Sequence, residues 1–144
     1  MVRFFSIVLA LWTALAAGLV STAPAHAWGW NLNHEPRLCD DPHILGRIES
    51  KFRYQVRHVP HLPDVEITAF HRIHERRYIP FDEQHPIARR YCAASAMLSD
   101  GRKRAIFYLI EDRMGFAGVG DNVEFCVPGF DRWFVYNGRC RVLR

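Results

Sequence analysis

"ARRYCAASAMLSDGRKRAIFYLIE", residues 88 to 111, decides the fold. Two runs of strand-like composition flank Ser99-Asp100-Gly101, and an Asp-Gly pair between such runs is a strong local signal for an antiparallel hairpin. If Asp100-Gly101 is a two-residue turn, Cys92 falls opposite Leu109. Arg104, Ile106 and Tyr108 then share one strand face, with Arg89 and Tyr91 on a face of the partner strand.

Reading outward toward the C-terminus, "NVEFCV" (122–127) places Val123, Phe125 and Val127 on one side. Pro128-Gly129 forms a turn into "RWFVY" (132–136), with Trp133 in the core, and Asn137-Gly138 a turn into "RCRVL" (139–143). Toward the N-terminus, "VEITAFHRI" (65–73) alternates, with Val65, Ile67, Ala69 and Ile73 on one face. Ahead of it, "CDDPHILGRIESKFRYQVRH" (39–58) carries Ile44, Leu45, Ile48, Phe52 and Val56 at helical spacing. Asp40 or Asp41 caps this helix and Pro42 sits in its first turn, where a missing N–H costs nothing. The expected fold is α+β: one N-terminal helix packed on an antiparallel sheet of five to six strands.

"GFAGVGD" (115–121) has the glycine density of a phosphate-cradling loop. Such loops leave a strand and enter a helix, whose N-terminal N–H groups hold the anion. This stretch leaves one strand for another, and its G-x-x-G-x-G order reverses the dinucleotide pattern. It reads as a turn, and no cofactor is expected.

The first 27 residues read as a secretory leader. Arg3 precedes the apolar run "FFSIVLALWTALAAGLV" (4–20), and Ala25-His26-Ala27 makes a small-x-small cleavage box. Residues 28–38 read as an extended lead-in and 39–144 as a single domain, periplasmic or secreted, with no membrane span once the leader is removed. Losing Arg3 lowers the formal charge of +4 by one. Sixteen arginines and two lysines, Lys51 and Lys103, remain. Arginine suits two-pronged holding of carboxylate or phosphate. An anionic envelope component or another periplasmic protein fits as partner; nucleic acid is not expected.

Four cysteines, Cys39, Cys92, Cys126 and Cys140, have no metal-type close pair, and in an exported chain they read as two disulfides. In a meander, two strand spacings of about 9.5 Å separate Cys92 from Cys126, beyond the reach of a bridge. The preferred pairs are Cys39–Cys92, stapling helix to sheet, and Cys126–Cys140.

Among groups that carry chemistry, His58 and His61 flank Pro60 and form a weak metal-binding candidate without an obvious third ligand. His71 and His74, three apart in a strand, point to opposite faces. No G-x-S-x-G occurs, and the serines past the leader are Ser50, Ser95 and Ser99. Arg76-Arg77-Tyr78, Arg89-Arg90-Tyr91 and Arg102-Lys103-Arg104 cluster near strand ends. Arg89, Tyr91, Arg104 and Tyr108 form the candidate binding face, where arginine holds an anion and tyrosine stacks on a planar group. The expected role is binding at the bacterial envelope; the alternatives are a small acid/base enzyme with a pocket between helix and sheet, and a histidine-based metal binder.

"RRYCAASAMLSDGRKRAIFYLIE", "GFAGVGDNVEFCV" and "GFDRWFVYNGRCRVLR" together resemble a family of small exported bacterial proteins of unknown function. That likeness implies export and carries no reaction or ligand. The helix-then-sheet order also looks cystatin-like. Cystatins inhibit proteases through a Q-x-V-x-G hairpin, and "QVRHV" from Gln55 lacks its final glycine and sits at a helix end, so protease inhibition is not implied.

Overall fold

The computed structural model describes residues 38–144. The expected leader over 1–27 and all of the lead-in except Leu38 lie outside the described residues. After a 3-10 turn at Leu38–Asp40, helix α1 runs over Pro42–His58. The cap is Asp41, whose carboxylate accepts the N–H groups of His43 at 2.7 Å and Ile44 at 3.4 Å. Ile44, Ile48, Phe52 and Val56 are its buried stripe. Val59 then turns extended ahead of Pro60, as a residue before proline prefers.

Four antiparallel strands follow in the order β1 (Ile67–Ile79), β2 (Arg89–Leu98), β3 (Lys103–Glu111) and β4 (Asn122–Cys126). The class is α+β with one main helix, but the described residues form four strands where five to six were expected. The difference lies after β4. "RWFVY" forms turns and "RCRVL" belongs to a 3-10 segment, Gly138–Leu143. The Asp131 carboxylate accepts the N–H groups of Val135 and Tyr136, each at 2.9 Å, and so takes donors that a strand ladder would need. A disulfide between Cys126 and Cys140, Cα atoms 5.7 Å apart, closes the segment into a loop. Trp133, expected in the core, is 67% exposed on it.

The central hairpin is one residue out of the expected register. Cys92 faces Tyr108, and Tyr91 faces Leu109. The connection has three residues, Ser99-Asp100-Gly101. Leu98 N–H bonds the Arg102 carbonyl and Gly101 N–H bonds the Leu98 carbonyl, both at 2.9 Å. Gly101 takes φ +78°, the left-handed residue that closes a three-residue hairpin loop.

β1 has register shifts between Ile67 and Ala69, His71 and His74, and Glu75 and Arg77. Each is a bulge that inserts a residue and re-aims those beyond it. Ala69 therefore leaves the core face and pairs with Met97, while Phe70 and Ile73 pack on the core. His71 and His74 pair with Ser95 and Ala93, two residues on one face of β2, so the bulge overturns their expected divergence.

α1 covers the sheet face carrying Cys92, Ile106, Tyr108 and Ile110. Ile48, Phe52, Ile106 and Tyr108 are all completely buried there. The Tyr108 hydroxyl donates to the Cys39 carbonyl at 2.5 Å, and a second disulfide joins Cys39 to Cys92, Cα atoms 5.8 Å apart. The opposite face is covered in part by the C-terminal segment, where Leu109, Cys126, Cys140 and Leu143 form a smaller cluster with Tyr91 and Phe107 at its margin. Among the described residues, no helix is long and apolar enough to cross a membrane.

Candidate functional site

The four residues of the expected binding face do not form one surface. Even-numbered residues of β2 pair with even-numbered residues of β3, so the register sends Tyr108 to the helix side and Tyr91 to the other. A one-residue slip exchanges faces in this way. Tyr108 is fully buried. Burial, assisted by the negative charge of Asp40, raises its hydroxyl pKa well above the ordinary value. It is a structural residue, not a ligand contact. Arg89 is held by Glu111, Nε to carboxylate 2.9 Å.

Tyr91 and Arg104 do remain accessible, but at register positions of opposite faces, since Arg104 shares the even-numbered set of Tyr108. The Arg77 guanidinium lies 4.0 Å from the Tyr91 ring centroid, within cation–π range. Arg76 and Arg144 approach the Phe107 ring at 5.7 and 5.6 Å. Nearby, a shallow groove of about 450 Å³ is lined by Arg72, His74, Ser95, Lys103, Arg104 and Ala105. Arg72, Arg76, Arg77, Lys103, Arg104 and Arg144 form no ion pair among the described residues. Some other arginines are ion-paired: Arg53 and Arg57 share Glu66, and Arg90 meets Glu75. The ion-paired Arg90 also lies 4.4 Å from the Tyr78 ring and is buried, so it belongs to the framework.

The arginine-tyrosine runs were legible in the sequence, but two contributors to this surface were not. Arg72 arrives through a bulge, at φ +52°, and Arg144 through the fold-back of the C-terminus. Neither has a local signature.

The remaining candidates are separate from this groove. The His58 ring stacks on Tyr54 with centroids 3.8 Å apart, and its Nδ1 lies 2.7 Å from the Tyr54 carbonyl. His61 is exposed in the loop beyond, at φ +64°. Among the described residues, no three His, Cys, Asp or Glu side chains converge to hold a metal ion. The glycine-rich stretch joins β3 to β4 and folds on itself, Gly115 N–H to the Gly120 carbonyl at 2.8 Å. It presents no helix N-terminus beyond a three-residue 3-10 turn.

The chain matches no protein-family model, no curated protein and no solved structure.

Proposed function

We propose that this is an exported, disulfide-stabilised binding protein of the bacterial envelope, periplasmic or secreted, which acts without catalysis and takes an anionic envelope polymer on the groove side of its sheet. The observation that carries the reading is the convergence of Arg72, Lys103 and Arg104, none of them ion-paired among the described residues, around a small-residue floor. Arg72 supplies forked donors and Lys103 a compact charge for phosphate or carboxylate groups, and Arg104, on the Tyr108 face of β3 by register, adds a further cation to the groove's lining. Phe107 and Tyr91, already in cation–π contact with arginines, offer ring faces for an apolar portion of the ligand.

The filled layer between α1 and the sheet favours binding over the enzyme alternative, which needs a pocket there. The two disulfides agree with an oxidising compartment. Inorganic polyphosphate and poly-glutamate, titrated against the disulfide-bonded protein, test the reading and separate phosphate from carboxylate preference. Binding that weakens with salt and drops about tenfold in Arg72→Ala/Arg104→Ala is expected, since each exposed ion pair contributes about 0.2–1 kcal/mol. Arg102→Ala, whose side chain lies by Asp100 at the hairpin turn, is the control. No salt-sensitive binding to either polymer, or equal loss in the control, overturns it.

A further inference from the structure

The loop closed by Cys126–Cys140 presents Trp133, Phe134 and Val135 in succession, 67%, 68% and 68% exposed. A strand would have turned alternate residues inward. Here a turn with Phe134 at φ +55° presents all three to solvent. Scattered exposed apolar residues need no account, but three in a row on a cross-linked loop do.

Part of the loop's backbone is satisfied from within. Phe134 N–H bonds the Asp131 carbonyl at 3.3 Å, and Val135 and Tyr136 N–H bond the Asp131 carboxylate. The apolar tip can therefore leave water without carrying these donors unpaired, the main cost of placing irregular backbone in an apolar phase. Its charged surroundings have one dominant sign. Arg132, Arg139 and Arg141 are exposed on the same segment and make no ion pair among the described residues. Its single carboxylate, Asp131, is occupied by the loop's own backbone.

From this geometry we infer that the Trp133–Val135 loop is a membrane-contact element, inserting its side chains into the interfacial layer of an anionic lipid bilayer while the flanking arginines meet the headgroups. Tryptophan favours that layer because its ring is apolar with one polar edge. Each nearby arginine adds attraction to an anionic surface, screened by salt. The inference is independent of the groove: it uses other residues, and a bilayer surface is another partner.

The test uses the exported protein, freed of its leader and never reduced. It is mixed with vesicles of phosphatidylcholine alone or with a quarter phosphatidylglycerol, and binding is read by co-sedimentation. Insertion is read by quenching of tryptophan emission with lipids brominated on the acyl chain. Binding to the anionic vesicles, with quenching that Trp133→Phe abolishes, is expected. Trp133→Ser/Phe134→Ser should lower vesicle binding about tenfold or more at an unchanged melting temperature, whereas Arg72→Ala/Arg104→Ala should retain the quenching. The phenylalanine variant keeps the test decisive if the double serine variant folds poorly. Binding without quenching at Trp133 overturns the inference, as does absence of binding. So does a loop that proves instead to hold a protein partner while leaving vesicles untouched.

Discussion

The Lys51 ammonium donates a hydrogen bond to the Val123 carbonyl, 2.6 Å away, so a helix side chain occupies the outer edge of the last strand. One turn before it, Arg47 reaches the Asp121 carbonyl at 2.7 Å; one turn after it, the Gln55 amide reaches the Phe130 carbonyl at 2.9 Å. The three donors stand four residues apart on α1: Lys51 covers an acceptor on the β4 edge that another chain could otherwise use, and Arg47 and Gln55 fasten the chain before and after the strand. The opposite edge, β1, is protected differently, by its bulges and its exposed His and Arg side chains.

Lys51→Met keeps the side-chain stem and removes the donor. A loss of about 1 kcal/mol is expected from one hydrogen bond, together with self-association as the β4 edge opens. Urea unfolding and analytical sedimentation at several concentrations measure both. An unchanged midpoint and an unchanged sedimentation profile would mean that water serves the carbonyl equally well.

Tyr108→Phe leaves the Cys39 carbonyl without its buried donor and should cost about 1–3 kcal/mol at neutral pH. The wild type has a further signature at high pH. Burial raises Tyr108, and burial with the charges of Glu124 and Asp131 pushes Tyr136 up to about 12. Both folded values lie above the ordinary phenol value, so the folded state favours the neutral hydroxyls. Their contribution is complete below pH 10 and is lost as pH rises toward 12 and beyond. Urea midpoints should fall over that window, and less steeply in the variant.

The two bridges differ in the loops that they close. Cys39 and Cys92 are 53 positions apart, and Cys126 and Cys140 are 14 apart. Chain entropy assigns about 4 kcal/mol to the first and about 3 kcal/mol to the second. Cys39→Ala/Cys92→Ala should therefore lower the unfolding free energy more than Cys126→Ala/Cys140→Ala. Only the second pair should raise amide exchange selectively over residues 127–143. Equal effects on both readouts would refute the assignment of one bridge to the core and one to the loop.

Two glycine replacements should have opposite signs. A Cβ at Gly115 would lie 2.1 Å from the Val119 carbonyl oxygen, so Gly115→Ala must open the β3–β4 loop, at about 1–3 kcal/mol. A Cβ at Gly46, within α1, meets nothing within 4 Å, and Gly46→Ala should stabilise by about 0.5–1 kcal/mol. Thermal melts of the two variants decide it. A stabilised Gly115→Ala would show that the loop does not need this close approach.

The helix, its cap at Asp40 or Asp41 and the hairpin about Asp100-Gly101 were legible because each is specified by residues within a few positions of one another, and the structure selects Asp41 as the cap. The binding face was misplaced for a small reason. Reading Asp100-Gly101 as the whole connection, without Ser99, shifts the register by one and groups Tyr108 with Tyr91 across the sheet. The C-terminal strands were misread because alternation in "RWFVY" cannot reveal that Asp131 will take the N–H groups of Val135 and Tyr136.

By itself the sequence determined the α+β class, the helix and its buried stripe, the turn character of the glycine-rich stretch and the presence of two cysteine pairs. These follow from periodicity, capping and spacing, which act over short distances along the chain. Only the tertiary structure decided which face each side chain occupies, because bulges and loop lengths add single residues and each addition reverses a strand's faces beyond it. It alone gathered Arg72, Arg104 and Arg144 from three parts of the chain onto the groove and its margin, and turned Trp133 outward. Those placements depend on contacts between residues far apart in sequence, which no local pattern records.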